Sequence, residues 1–264
     1  MKITSIVSVI VLFGTANLVA APSQNLPASG ALVVEEVTVE APSVVHFKLS
    51  NISNQPITAW EVTVSGTIGG KRVKSIFGRD LALSSWLDDY RRNPVAQGPK
   101  ERLSGDLMPG DFQRDSVPLF GKETESEQLE DASVTVMSVL FADFSSAGDP
   151  VYANMVLQDR EKDKLKRAAV LEQLRSLEEE GDPLGAMVRL EGRLTEELNW
   201  PEGTPQPIIR EEQSAQMGLL TELRFSLRVL KGRSNLSPAD AFAALIERLK
   251  LKHDALEKHT PIHH

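Results

Sequence analysis

From residue 32 the chain alternates. Val33, Val37 and Val39 fall on one parity with Glu36, Thr38 and Glu40 on the other, and then Val45, Phe47 and Leu49 alternate with His46 and Lys48. Successive side chains of a strand point to opposite faces, so a period of two predicts half-buried antiparallel strands. Residues 57 to 65 continue the theme, with Trp60, Val62 and Val64 inward and Glu61 and Thr63 outward. Gly69-Gly70 reads as a two-residue hairpin turn into a strand over 71 to 77. Beyond an irregular stretch from 80 to 107, a Pro-Gly turn at 109 and 110 leads to a short strand, and "ASVTVMSVLFADF", 132 to 144, reads as a central one.

Near residue 153 the period changes to 3.6. Leu165, Ala168, Leu171, Leu174 and Leu177 line a first helix ending at Gly181, and Asp182-Pro183 caps a second through Leu184, Met187, Leu190, Leu194 and Leu198. After "NWPEGTPQP", a third runs from about Ile208 to Leu230 on Ile209, Met217, Leu220, Leu223 and Leu227; Ser237 and Asp240 form a capping box for a fourth through Phe242, Leu245, Ile246, Leu249 and Leu256. The pattern predicts a segregated α+β chain: an antiparallel immunoglobulin-like β-sandwich over 32–153, then an all-α region of about four helices over 154–264.

The N-terminus changes the expected compartment. A lysine, a short apolar core from Ile6 to Phe13 and a small-residue exit at Ala20 read as a secretory signal peptide over 1–20, followed by a polar, disordered leader over 21–31. The expectation is a secreted or periplasmic protein without stable membrane insertion. The chain has no cysteine, so its stability rests on packing, and thiol catalysis and thiolate zinc sites are excluded. A net charge of -8 without a dense basic patch argues against nucleic acid and points to protein partners, with glycan as the alternative.

The stretches "VVHFKLSNISNQPITAWEVTV", "PGDFQRDSVPL" and "VTVMSVLFADFSSAGDP", in that order, resemble the FxLYD-like immunoglobulin-type β-sandwich modules of exported bacterial proteins. The resemblance covers the β half and implies its fold and an interaction role. It carries no catalytic residues, and the irregular segment from 80 to 107 departs from the tighter family pattern. Asn51, Ser53, Asn54 and Pro56 read as turn residues, and Trp60 as a core anchor.

Candidate chemistry is sparse. No G-x-S-x-G, H-E-x-x-H, G-x-x-x-x-G-K-[ST] or G-x-G-x-x-G occurs, so no catalytic residues and no cofactor are assigned. Trp86 and Tyr90, one helical turn apart and flanked by Asp88, Asp89 and Arg91, form a candidate binding surface for a protein segment or a sugar. The leading expectation is a non-enzymatic protein-interaction or structural module. The alternatives are a glycan-binding accessory module using Trp86 and Tyr90, and a hydrolase using Asp88 or Asp89. Asp143, Ser145 and Asp149 are weak alternative calcium ligands, although a structural turn explains them better. His46 lacks an obvious acidic partner, the C-terminal histidines read as a solvated tail, and "QDREKDKLKR", 158 to 167, reads as a solvated helix start.

Overall fold

The computed structural model describes residues 27–40, 43–82, 105–119, 129–178, 181–198, 206–232 and 237–261. Within them lie seven strands, β1 Leu32–Glu40, β2 Val44–Asn51, β3 Ile57–Ile68, β4 Lys71–Asp80, β5 Phe112–Pro118, β6 Glu130–Phe141 and β7 Ser146–Gly148. Four helices follow, α1 Pro150–Glu178, α2 Pro183–Glu196, α3 Gln206–Gly232 and α4 Pro238–Lys258. The chain is therefore mixed α and β, strands first and helices after. None of the described helices is long and apolar enough to cross a membrane.

The strands form two antiparallel sheets, one in the order β1-β2-β5 and the other β4-β3-β6-β7. Gly69 and Gly70 join β3 to β4 with φ of +56° and +72°, the left-handed pair that a tight hairpin requires. The inward parity of β2 and β3 meets in one core, whereas in β1 Leu32 and Val34 turn inward and Val37 and Val39, expected inward, are each 38% exposed beyond a register shift between Val34 and Glu36. Val45, Phe47 and Leu49 come from the first, and Trp60, Val62 and Val64 from the second. Trp60 is wholly buried, packs edge-on against Phe47 and Phe77 with ring centroids 6.2 and 5.7 Å away, and donates from Nε1 to Gln113 Oε1 at 3.2 Å. The indole thus keeps a hydrogen bond inside an apolar setting.

The turn before β3 is tied by one side chain. Asn51 Nδ2 donates to the carbonyls of Gln55 and Leu107 at 2.8 and 2.7 Å, while Oδ1 accepts from the amide and hydroxyl of Ser53. Residues 27 to 31, expected in the disordered leader, are instead ordered: Ala28–Gly30 is a 3-10 turn, with Ala28 and Ala31 buried in the β core.

The four helices enclose a second, aliphatic core that includes Leu174, Met187, Leu194, Leu220, Leu223 and Leu245. Asp182 accepts from the Gly185 amide and Ser237 from the Asp240 amide, as the capping signals require. The helical stripe differs from expectation at Leu165, Ala168, Leu184 and Met217, which are exposed, because the buried face of each helix is rotated away from them.

One element belongs to both halves. At 29 residues, α1 is roughly 43 Å long. It starts at Pro150, earlier than the period change suggests, because Asp149 Oδ1 accepts from the Val151 amide and sets the first turn. Its first turns place Tyr152, Ala153, Val156 and Leu157 on Ala59 of β3 and Leu140 of β6; its later turns supply Val170, Leu171 and Leu174 to the helical core. Gly78 makes the first docking possible, since a Cβ there would lie 2.6 to 2.8 Å from the Tyr152 ring.

Candidate functional site

A cleft of about 660 Å3 opens where α1 leaves the sheet and joins α3 and α4. Gly78 and Asp80 of β4 with Tyr152 of α1 form one wall; the buried Arg160, Asp163 and Arg167 of α1 form the floor; Glu222 of α3 and Lys252 of α4 close the far side, and the exposed Met155 of α1 and Met217 of α3 stand at the rim. The floor exists because α1 places charges on its buried stripe. Val156, Arg160, Asp163, Arg167, Val170 and Leu174 follow one another at steps of three and four and are all buried.

Arg160 is fully enclosed, and every arm of its guanidinium is used. Nη2 donates to Asp80 Oδ1 at 2.7 Å and to the Thr58 carbonyl at 2.8 Å, Nε to Asp80 Oδ2 at 3.0 Å, and Nη1 to the His259 carbonyl at 3.1 Å. One side chain thereby ties β3, the end of β4 and the end of α4 to α1. Its planar fork matches a carboxylate bidentately, which an ammonium cannot do.

Seven residues on, Arg167 Nε meets Asp163 Oδ1 at 3.0 Å, and its Nη1 donates to Glu222 Oε1 at 3.1 Å. Lys252 Nζ donates to the same Glu222 oxygen. Burial pushes the Asp163 carboxyl above the ordinary range, and the charge of Glu222 adds to this against the pull of Arg167. Tyr152 is likewise pushed up by burial, with Asp80 and Glu61 adding to it.

His259, just past α4, is buried. Its Nδ1 lies 2.7 Å from the Ala255 carbonyl, and its Nε2 lies 2.9 and 3.0 Å from the two carboxylate oxygens of Asp106. Burial works against the charged ring, but the hydrogen bond and charge of Asp106 with the Ala255 carbonyl outweigh it, so His259 holds its proton more tightly than an ordinary histidine.

These positions correct three expectations. The charges of 158 to 167 are not a uniformly solvated face, since Arg160, Asp163 and Arg167 are buried. Nor is His259 part of a solvated tail, because a carboxylate held by the β half faces its ring. His46 does have an acidic partner, with Nε2 2.8 Å from Glu40 Oε2. Trp86, Asp88, Asp89, Tyr90 and Arg91 lie outside the described residues, as do His263 and His264.

At the loop after β6, Asp143 Oδ1 accepts from the Ser145 amide and hydroxyl at 3.0 and 2.6 Å, while Asp149 Oδ1 caps α1. These oxygens serve the backbone, and Gly148, with φ +82°, sits where a Cβ would lie 2.2 Å from the Met137 carbonyl. The ligand set suits a turn better than a calcium ion.

The cleft's Thr221 hydroxyl donates to the Met217 carbonyl at 2.7 Å, and the Arg160, Arg167 and Lys252 cations are paired with Asp80, Asp163 and Glu222. Above that floor stand the side chains of Met155 and Met217, 49% and 42% exposed.

No family model and no curated protein matches the chain. Among solved structures, an X-ray structure of a hypothetical protein from Peptoclostridium difficile 630 is similar at 14% identity, over 50% of this chain and 90% of that one, with a TM-score of 0.28. A likeness that slight carries no argument about fold or function.

Proposed function

We propose that the chain is an exported, non-enzymatic interaction protein whose junction cleft receives a segment of a partner protein. The observation that carries this reading is the pairing of Met155 and Met217, exposed on different helices above a floor of charges already committed to one another. Methionine is unbranched and polarizable, and it adapts to irregular apolar partners, which suits it to a surface that must accept side chains. A floor of paired ions supplies rigidity without a reactive group. Export is supported by the basic, apolar and small-residue order of residues 1 to 20.

The β half is read as an immunoglobulin-type sandwich. Support comes from two antiparallel sheets whose apolar faces share one core, with Trp60 from one sheet edge-on to Phe47 from the other. Such a module is a common carrier of interaction surfaces, and the site, not the fold, must supply the function.

The test is site-specific cross-linking in an envelope extract. A photoreactive residue at Met217 should capture one reproducible protein, and Met155→Asp should abolish the capture, whereas Ile52→Asp on the β half should leave it intact; Ile52 is 57% exposed and distant in the fold from the cleft lining. Equal capture by both variants would show that the cleft is not the binding surface.

A further inference from the structure

We propose that the end of α4 is a clasp, set by the protonation of His259, that holds the helical half against the β half beside the cleft. The two jaws belong to different halves. Asp106 is fixed by its neighbour Leu107, whose amide and carbonyl exchange hydrogen bonds with Ile57 at 2.9 and 3.0 Å and whose carbonyl also accepts from Asn51. His259 is fixed by α4, where its amide bonds the Leu256 carbonyl and the Thr260 hydroxyl donates to the same carbonyl at 2.6 Å.

The acceptors around the ring dictate its state. A carbonyl can only accept, so Nδ1 carries a hydrogen toward Ala255. An ionised Asp106 also only accepts, so Nε2 must carry a second hydrogen for the contacts at 2.9 and 3.0 Å to be favourable. The doubly protonated ring is therefore the closed clasp. Loss of either ring proton would turn a lone pair toward an acceptor, Nδ1 toward the Ala255 carbonyl or Nε2 toward the Asp106 carboxylate, in a site where His259 is 7% exposed.

From α1, Arg160 opposes the imidazolium charge, but Asp80 of β4 holds that guanidinium in a bidentate pair. On α4 itself, Lys258 and Glu257 are exposed and of opposite sign. Asp106 therefore dominates. Opening also reaches the cleft, because the His259 carbonyl accepts from Arg160 Nη1, and Arg160 and Asp80 both line it.

The direction follows from the geometry. Since the folded ring holds its proton above the ordinary histidine value of about 6.5, the clasp is closed below that pH and opens as pH rises through the raised value. The inference stands whether or not the cleft takes a partner.

The chain has no cysteine, so a double variant, Ile76→Cys with Lys250→Cys, places nitroxide labels on exposed positions of β4 and α4 alone. Electron-spin distance measurements from pH 5 to 9, run beside the titration of the His259 ring by nuclear magnetic resonance, are expected to show one step in the label separation at the pH where the ring titrates. His259→Gln and Asp106→Asn, checked by circular dichroism, should each abolish that step. A separation that stays constant while His259 titrates would overturn the proposal, as would a step that persists in the two variants. If neither variant folds, agreement or disagreement of the two wild-type midpoints decides.

Discussion

The two halves solve burial differently. In the strands the core is aromatic and β-branched, and the one polar atom of Trp60 finds a single neutral partner in Gln113. Among the helices the core is almost wholly aliphatic, and toward the sheet it gives way to a row of ions, the buried Arg167 and Asp163 with the half-buried Glu222 and Lys252, ending at the buried Arg160. Shape complementarity fixes one half, whereas charge pairing fixes the seam. A packed aromatic tolerates any orientation that fills the volume, but a bidentate Arg–Asp pair accepts only one. The seam therefore specifies how α1 lies on the sheet, and this is where the cleft forms.

The largest way to break the comparison is Trp60→Ala. Trp60 is fully buried and holds rings on both sides, so the variant should lose about 4 kcal/mol, read from urea unfolding followed by circular dichroism. A loss under 1 kcal/mol would show that the β core is not the close-packed half.

Arg160→Ala should come next, at about 3 kcal/mol, because it leaves the Asp80 carboxylate without its charge partner and takes a donor from the His259 carbonyl, while the Thr58 carbonyl keeps only the Leu81 amide. The double variant with Asp80→Ala should cost much less than the sum of the two single changes. Additivity would mean that the seam is held by packing after all. Gly78→Val is smaller, about 2 kcal/mol, since the added carbons collide with the Tyr152 ring and must displace it from the sheet. Hydrogen exchange should rise in the first turns of α1 and stay low in the helical core.

The β half was legible in the sequence because its signals are local. Period two, the Gly69-Gly70 hairpin, the Asn51 turn and the inward parity of Trp60 all follow from neighbours within a few residues. The helix caps at Asp182 and Ser237 were legible for the same reason. The seam was not, because residue type and spacing disagree there. Arg160, Asp163 and Arg167 occupy the heptad positions between Val156 and Val170, and the spacing alone marks them as inward, whereas their charge reads as solvated. Their partners are remote: Asp80 is 80 residues from Arg160, Glu222 is 55 from Arg167, and Asp106 is 153 from His259. A charge on a buried stripe announces that a counter-charge exists without saying where.

The smallest effect sharpens the comparison most, because it asks whether ionised carboxylates cost stability in both halves. Asp163 at the seam and Asp115 of β5 are each pushed above the ordinary range by burial, against the pull of Arg167 and of Arg79 respectively. A folded-state value above the unfolded one means that the folded chain binds the proton more tightly, so the contribution to stability is full below the unfolded value and lost as pH rises through the folded one. Asn mimics the neutral acid. Asp163→Asn should therefore raise the urea midpoint at pH 7 and leave it unchanged near pH 3, and Asp115→Asn should do the same to a lesser degree, its Oδ1 also accepting from the Ser116 amide. If Asp163→Asn lowers the midpoint at pH 7, the attraction of Arg167 outweighs the burial penalty, and the ion row stabilises the seam outright instead of only selecting its geometry.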